Sequence, residues 1–275
     1  MVKDVVVVIG VGGMGQTLAP RIGGGRTVLL ADFSEAALET VAGQLTGLGY
    51  DVQTQQVDVS DRASLARLAD TAASLGRVAQ VAHTAGLSPV QASAEAILRV
   101  DLLGVALMLE EFARVIAPGG AGVVIASMAG HLAAGLPADL ERALATVPAE
   151  ELLALPVFAS EALANPGAAY SVAKRGNILR VQAAAVPWGQ RGARINSISP
   201  GVIATPMGHQ ELQSAHGEQM RQMIEMSGSG RIGTSEDIAR AAEFLLDPQS
   251  SFITGTDLLV DGGVVAAVRT LTPAP

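Results

Sequence analysis

Short apolar runs alternate along the chain with longer stretches in which apolar residues recur at helical spacing. The first run, residues 5–9, is continuously β-branched, which is typical of a strand buried on both faces of a parallel sheet. Further strands are predicted at residues 27–31, 52–57, 78–82, 122–126, 194–198 and 258–260. Helices are predicted after the first strand, at residues 34–48 and 61–74, up to about residue 116, around residue 170 and at residues 235–246. This alternation predicts an α/β fold with one doubly wound parallel sheet, in a single domain spanning residues 1–275.

Composition supports a folded domain and argues against several classes of partner. Hydrophobic residues make up 49% of the 275 residues and charged residues 16%, so a sizeable core can be buried. The net charge of −8, without a basic cluster, argues against nucleic acid as a partner. The chain has no cysteine, and its four histidines are not paired at ligand spacing, so we expect neither disulfides nor a metal site. No apolar run reaches membrane-spanning length, so we expect no membrane association and a cytoplasmic location.

A glycine-rich segment follows the first predicted strand and precedes a helix. It reads G-x-G-x-x-G, which in this context permits a tight turn and lets a pyrophosphate approach a helix N-terminus. The residues of this candidate phosphate loop are Gly10, Gly12, Gly13, Met14 and Gly15.

An acidic residue, Asp32, ends the second predicted strand, about 20 residues after the glycine loop. A carboxylate at this place holds the ribose hydroxyls of a dinucleotide and repels a 2′-phosphate, so NAD is favoured over NADP. The alternative is that Asp32 merely caps the helix that follows.

Several other residues lie where predicted strands end. Ligands of a doubly wound sheet bind beyond the carboxyl ends of its strands. Gly10, Asp32, Asp58, Gly86 and Ser127 all fall at such ends.

Tyr170 and Lys174 lie four residues apart and therefore share one face of a predicted helix. A phenol has an ordinary pKa of about 10, and a neighbouring ammonium favours the phenolate and lowers that pKa. The pair is a candidate general acid/base, although this spacing also occurs on many solvated helix faces.

Taken together, these features resemble the short-chain dehydrogenase/reductase family. They follow the order of that family over nearly the whole chain. The matching positions are the glycine loop, Asp32, Asp58 and Val59, Ala85 and Gly86, Ser127, Tyr170 and Lys174, Pro200 and Gly201 with Thr205, and Asp261 to Gly263.

The resemblance implies a Rossmann-type sheet of seven strands, a nicotinamide cofactor and interconversion of a carbonyl and an alcohol. It implies that Tyr170 exchanges the substrate proton, that Lys174 lowers the Tyr170 pKa and binds the nicotinamide ribose, and that Ser127 hydrogen-bonds the carbonyl oxygen. Other cofactor contacts are implied for the adenine at Asp58 and Val59, for the carboxamide at Ile203 and Thr205, and for Ala85, Gly86 and Pro200. We expect a homodimer or homotetramer.

Three local departures from the family pattern affect the site. The glycine loop is one residue shorter than usual. His83 and Thr84 replace two asparagines before Ala85, and His83 is expected to be a packed or hydrogen-bonded residue at the strand end. Asp101 occupies the position of an asparagine in a proton relay to Lys174; the alternative is that Asp101 caps a helix starting at Leu102.

A fourth departure is an insertion at about residues 132–165, between Ser127 and Tyr170. Two stretches, 137–147 and 148–155, begin with proline and carry leucines at helical spacing, which predicts a small helical hairpin. We expect this hairpin to lie over the substrate site; the alternative is an oligomer contact. The bacterial 3α-hydroxysteroid dehydrogenase/carbonyl reductase subgroup has a similar insertion, which suggests a bulky apolar or cyclic alcohol or ketone, such as a hydroxysteroid or a terpenoid.

Two other functional classes are alternatives to the oxidoreductase. Ser171 and Lys174 fit the S-x-x-K of serine acyl-transfer enzymes, but the S-D-N and K-T-G partners of that class do not occur. A nucleotide-sensing binding protein on the same fold is the second alternative.

Overall fold

One parallel sheet organises the protein. The computed structural model describes residues 2–133 and 135–271. Within this part the strands are β1 (Asp4–Ile9), β2 (Thr27–Asp32), β3 (Asp51–Gln56), β4 (Arg77–His83), β5 (Ala121–Ile125), β6 (Arg194–Pro200), β7 (Ile203–Ala204), β8 (Gly233–Thr234) and β9 (Asp257–Val260). Residues 1, 134 and 272–275 of the predicted domain lie outside the described residues.

The main sheet has seven strands among the described residues, in the order β3-β2-β1-β4-β5-β6-β9, and every neighbouring pair is parallel. The order reverses between β1 and β4, which creates the crevice where doubly wound sheets bind ligands. The predicted Rossmann-type parallel sheet is therefore confirmed. The short strands β7 and β8 form a separate pair.

Helices cover both faces of the sheet. They are α1 (Gly13–Gly23), α2 (Glu35–Gly47), α3 (Arg62–Leu75), α4 (Ala94–Ile97), α5 (Gly104–Ala113), α6 (Met128–Leu132), α7 (Ala138–Thr146), α8 (Ala149–Leu152), α9 (Pro166–Gln190), α10 (Pro206–Leu212), α11 (Gly217–Met226), α12 (Ser235–Leu246) and α13 (Val264–Leu271). A π-helical stretch, Leu98–Leu103, joins α4 to α5, and 3₁₀ turns occur at Pro156–Ala159, Glu161–Ala164 and Pro248–Ser250.

Strand β1 shows why the apolar run has no alternation. Val5, Val7 and Ile9 pack into one core with residues of α3, α5 and α9. Val6 and Val8 pack into a second core with residues of α1, α2 and α12. Both faces of the strand are buried from Val5 to Ile9, so each of these positions is apolar.

The insertion contains the two predicted helices, α7 close to the predicted 137–147 and α8 ending three residues before the predicted end at 155, and two 3₁₀ turns follow. Helix α7 packs along α9, where Glu141 forms an ion pair with Arg175. Leu144 and Leu152 are fully buried in the core that contains α3, α5 and α9.

The insertion leucines were expected to face the substrate site, and this expectation is wrong for Leu144 and Leu152. Neither side chain lines the cavities described below. The amphipathic pattern reflects packing onto the helical layer, because α9 and its neighbours offer the apolar surface that these short helices need.

In the described part of the chain, no helix combines the length and apolar character that crossing a membrane requires.

Candidate active site

Two adjoining cavities lie at the carboxyl ends of the strands. The larger, about 700 Å³, lies at the reversal point between β1 and β4, and the smaller, about 80 Å³, lies beside β5 and α9. They share wall residues, among them Met14, Gly86 and Thr205. The predicted residues that line the larger cavity are Gly10, Gly12, Gly13, Met14, Asp32, Asp58, Val59, Ala85, Gly86 and Thr205. Those that line the smaller one are Met14, Ala85, Gly86, Asp101, Ser127, Tyr170, Lys174, Pro200, Ile203 and Thr205.

The glycine loop turns sharply from β1 into α1. Gly10 has a φ of +92°, which side chains rarely adopt, and a Cβ there would lie 2.4 Å from the backbone nitrogen of Ala85. At Gly12, by contrast, a Cβ would meet no protein atom within 4 Å, and the residue lines the larger cavity at the start of α1. The loop therefore leaves open space against a helix N-terminus, which fits a pyrophosphate.

Gly15 has a different place from the one predicted, since it lines neither cavity. A Cβ at Gly15 would lie 1.9 Å from the carbonyl oxygen of Gly10. This glycine thus permits close packing of the helix on the strand end rather than forming a wall of the cavity.

Asp32 lies at the end of β2 and lines the larger cavity. Its Oδ2 accepts a hydrogen bond of 2.7 Å from the backbone N–H of Val11, and its Oδ1 accepts one of 2.9 Å from that of Ser34. Ser34, rather than Asp32, is the N-cap of α2. The capping alternative for Asp32 is therefore wrong, and its carboxylate is held rigidly at the cavity wall.

Asp58 and Val59 follow β3, the strand next to β2, and line the same cavity as Asp32. Oδ1 of Asp58 accepts hydrogen bonds from the backbone N–H and the hydroxyl of Ser60, at 2.9 and 2.8 Å. Val59 is buried beneath them. Asp58 thus provides a polar side chain and Val59 an apolar one to the lining of the cavity.

Ser127 and Tyr170 meet in the smaller cavity. Ser127 caps α6, and its Oγ accepts a hydrogen bond of 3.2 Å from the backbone N–H of Ala129. Tyr170 lies in the second turn of α9, and its phenol interacts with the Ser127 hydroxyl. The strand end and the long helix therefore place two hydroxyl groups side by side.

Lys174 extends from the same face of α9 toward this pair. Its Nζ lies 5.3 Å from the centroid of the Tyr170 ring, 3.0 Å from Oδ2 of Asp101, and 3.4 Å from the carbonyl oxygen of Ile125, to which it donates a hydrogen bond. A Cβ on Gly86 would lie 3.1 Å from that Oδ2 and 3.4 Å from that Nζ, so glycine leaves just enough room for the ion pair.

Asp101 is fully buried within the π-helical stretch. Its Oδ1 accepts a hydrogen bond of 2.8 Å from the backbone N–H of Leu87. The backbone N–H of Gly104 bonds to the carbonyl of Arg99, five residues earlier, and helical structure continues on both sides. Asp101 therefore does not cap a helix beginning at Leu102, and that alternative is wrong.

The charges in the smaller cavity oppose one another. Burial lowers the pKa of Lys174, but the negative charges of Asp101 and Tyr170 outweigh burial and raise this pKa above its ordinary value. Burial raises the pKa of Tyr170; Lys174 lowers it and Asp101 raises it further. The overall pKa of Tyr170 is thus raised, contrary to the lowering expected from Lys174 alone, because burial dominates.

Family models and known proteins that are similar to this chain indicate the family to which it belongs. Residues 3–136 match the family model "short chain dehydrogenase", and residues 143–265 match "Enoyl-(Acyl carrier protein) reductase". Short-chain dehydrogenase/reductase bsc3 of Alternaria brassicicola is 42% identical over 97% of each chain.

The chain belongs to the short-chain dehydrogenase/reductase family.

More distant relatives have named substrates. D-threitol dehydrogenase of Mycolicibacterium smegmatis is 27% identical, with 87% of this chain and 83% of the relative aligned. Levodione reductase of Leifsonia aquatica is 28% identical, with 96% and 94% aligned. These homologues make this family member an oxidoreductase in general terms.

Solved structures agree in fold. The crystal structure of gox2181 has a TM-score of 0.76 at 20% identity, with 97% of each chain aligned. ElxO with NADP bound has a TM-score of 0.72 at 21% identity, with 97% of this chain and 100% of that chain aligned.

His83 lies at the end of β4 and is fully buried, as expected of a packed residue. Among the described residues neither ring nitrogen has a hydrogen-bond partner. Burial, with a smaller contribution from the charge of Lys174, lowers the pKa of His83 to about 3. The imidazole is therefore neutral at physiological pH.

Several residues that line the cavities are not among the predicted site residues. Exposed Phe33 follows Asp32 and lines the larger cavity, as does Arg99. Met207 belongs to both cavities, and Glu211 lines the smaller one. Phe33 adjoins a predicted ribose contact, which was a usable signal, whereas Met207 and Glu211 follow the last recognised motif at Thr205 and carry no pattern of their own.

Proposed function

We propose that this protein is an NAD-dependent oxidoreductase that interconverts a secondary alcohol and a ketone. One observation carries the proposal: Ser127, Tyr170 and Lys174 line a cavity that shares walls with the larger cavity at the glycine loop. A substrate carbonyl beside the two hydroxyl groups would thus adjoin a dinucleotide in the larger cavity.

The residues present fit such a dinucleotide. The open space at Gly12 accepts a pyrophosphate against the start of α1, Asp32 offers carboxylate oxygens to the adenosine ribose, and Asp58 and Val59 flank the adenine. Pro200, Ile203 and Thr205 lie on the nicotinamide side. A bound nicotinamide supplies or accepts the hydride.

The protein side chains then handle the proton and the developing charge. In ketone reduction, Tyr170 donates its phenolic proton to the carbonyl oxygen while Ser127 hydrogen-bonds the same oxygen. In alcohol oxidation, the Tyr170 phenolate accepts the proton. The negative charge of Asp101 favours the protonated form of Lys174, so Lys174 remains an ammonium. The positive charge of this ammonium stabilises the Tyr170 phenolate.

A bulky apolar or cyclic substrate, such as a hydroxysteroid or a terpenoid, is the proposed substrate class. Apolar side chains of Leu87, Ile203 and Met207 line the smaller cavity. The relatives' names span a diketone, in levodione reductase, and a polyol, in D-threitol dehydrogenase. These names support an alcohol or a ketone as the substrate class. They differ in the size and polarity of the substrate, which depend on the pocket of each enzyme.

Preference for NAD over NADP rests on Asp32. Its carboxylate is fixed by two backbone N–H groups at the ribose end of the larger cavity, where a 2′-phosphate would meet a like charge. The fold alone does not decide this, since the similar structure of ElxO has NADP bound.

The acyl-transfer alternative has no support in the geometry. The Ser171 hydroxyl donates a hydrogen bond of 2.9 Å to the carbonyl oxygen of Gly167 in its own helix, and Lys174 pairs with Asp101. The other alternative is a nucleotide-sensing protein, which differs from the proposed oxidoreductase because it binds the dinucleotide without turnover of a substrate.

A homodimer or homotetramer is also proposed. Phe252 and Val186 are exposed apolar side chains, which supports an apolar contact with another copy. Light scattering of the purified protein measures the mass directly.

A cofactor-linked screen tests the function. The purified protein is incubated with NAD and a panel of cyclic and acyclic secondary alcohols, and with NADH and the matching ketones, while absorbance at the NADH band is followed. Turnover of at least one pair supports the proposal. Tight NADH binding without turnover of any pair would favour the sensing role.

A further inference from the structure

Glu211 places a carboxyl group in the substrate cavity. It lies on α10 and lines the smaller cavity with Tyr170 and Lys174. Its charge acts on both of these groups, raising the pKa of each. Glu211 is half-buried and lines this cavity, so its carboxyl group is available to a ligand there.

Glu211 has no cation in direct contact among the described residues. Across residues 2–133 and 135–271, it takes part in no salt bridge, whereas Asp101 contacts Lys174 and Glu218 on the next helix contacts Arg221. Burial raises the pKa of Glu211, and this is offset only in part by the Ser88 hydroxyl and the charge of Lys174. A partly desolvated carboxyl group without a salt-bridge partner is stabilised by a hydrogen-bond donor that a ligand provides.

We propose that Glu211 is a specificity residue that hydrogen-bonds a second hydroxyl group of the substrate, so that the preferred substrates are diols and hydroxyketones. The inference rests on the proposed alcohol/ketone function and refines its substrate class. The carbonyl or alcohol that reacts lies at Ser127 and Tyr170, and the second hydroxyl reaches across the same cavity to α10.

A hydroxyl suits this position better than an ammonium group. A hydroxyl both donates and accepts, so it can satisfy the ionised form and the O–H of the protonated form of a carboxyl group, whereas an ammonium forms an ion pair only with the ionised form and cannot accept from the protonated one. The apolar neighbours Leu87 and Met207 also favour a neutral group on the substrate.

The test compares matched alcohols that differ only in the second group. The probes are cyclohexanol, trans-1,2-cyclohexanediol, trans-1,4-cyclohexanediol and trans-4-aminocyclohexanol, each oxidised with NAD. kcat and KM are measured for the wild type and for Glu211→Leu and Glu211→Gln. Glu218→Gln serves as the control, because Glu218 is exposed, lies on α11 and lines neither cavity.

The wild type should favour at least one diol over cyclohexanol in kcat/KM. In Glu211→Leu that preference should fall about 10- to 100-fold, mainly through KM, because a hydrogen bond to a charged group is lost while cyclohexanol is little affected. Glu211→Gln should keep part of the preference, since an amide still hydrogen-bonds a hydroxyl. Glu218→Gln should behave as the wild type.

Three results would overturn the inference while leaving the proposed function in place. The first is an equal loss of kcat/KM for cyclohexanol and both diols in Glu211→Leu. The others are a wild type that prefers neither diol to cyclohexanol, and a wild type that prefers the amino alcohol to the diols. Binding of NAD without turnover of any alcohol, in this set or in the wider screen, would overturn the proposed function, and the inference with it.

Discussion

The Nζ of Lys174 lies 3.0 Å from Oδ2 of Asp101, and both side chains are buried beside the cavity that contains Tyr170. Because the pair is shielded from water, its charges act strongly on the nearby phenol. Lys174 favours the phenolate and Asp101 opposes it. Burial has the largest effect on the Tyr170 pKa, and the balance between these two charges then adjusts the pH at which Tyr170 can accept a proton.

Tyr170→Phe should remove the proton donor and leave cofactor binding nearly unchanged. Loss of general acid/base chemistry lowers the rate by about 10²–10⁴-fold. Tyr50→Phe is the matched control, because Tyr50 is the only other tyrosine and its hydroxyl donates to the carbonyl oxygen of Pro20, away from the cavities. Steady-state turnover and NADH fluorescence titration provide the two measurements. Near-normal turnover in Tyr170→Phe would exclude this mechanism.

The protein should use NADH with a kcat/KM at least about tenfold above that with NADPH, because a 2′-phosphate would approach the Asp32 carboxylate. In Asp32→Asn the difference in kcat/KM between NADH and NADPH should become smaller, because the amide does not carry the negative charge that repels the 2′-phosphate. Asp61→Asn is a suitable control: Asp61 caps α3 and lines neither cavity. A wild-type preference for NADPH would show that Asp32 does not meet the ribose.

Local sequence patterns were sufficient for the strands, the glycine loop and the Tyr170–Lys174 pair. Buried strands read as apolar runs, and two residues four apart on a helix must share a face. The contact between Lys174 and Asp101 joins residues far apart in the chain, so no spacing rule predicts it. It was expected only because Asp101 matches a family position.

The insertion shows a different limit. The leucine spacing predicted that one face of each short helix is buried, and Leu144 and Leu152 are indeed fully buried. The pattern does not state which surface covers that face. The substrate site was the surface expected, whereas Leu144 and Leu152 pack into the core formed with α9 and the helices beside it. Glu211 was missed for a similar reason, since a lone acid on a short helix has no pattern.

Leu152→Ala should therefore affect stability rather than substrate size preference. Truncation of a fully buried leucine costs about 2–5 kcal/mol in unfolding free energy. Leu48→Ala is the control, since Leu48 exposes 73% of its surface and its truncation should change stability by less than about 0.5 kcal/mol. Urea unfolding measures both variants, and KM is compared for a small and a bulky ketone. A selective rise in KM for the bulky ketone at unchanged stability would restore the expectation that the insertion shapes the pocket.

Asp101→Asn should shift the pH dependence of alcohol oxidation to lower pH. Oxidation requires the Tyr170 phenolate, so kcat/KM rises as pH passes through the Tyr170 pKa. The Asp101 charge raises that pKa, and an asparagine keeps the side-chain shape and an oxygen for the Leu87 N–H while removing the charge. The phenolate then forms at lower pH as long as Lys174 stays protonated, and the rising limb of the profile moves with it. The measurement is kcat/KM against pH for the wild type and Asp101→Asn, with Asp61→Asn as the control. An unchanged profile with only lower thermal stability would make Asp101 a purely structural residue. A shift to higher pH would mean that its main effect is to keep Lys174 charged, because loss of the ammonium removes the group that favours the phenolate.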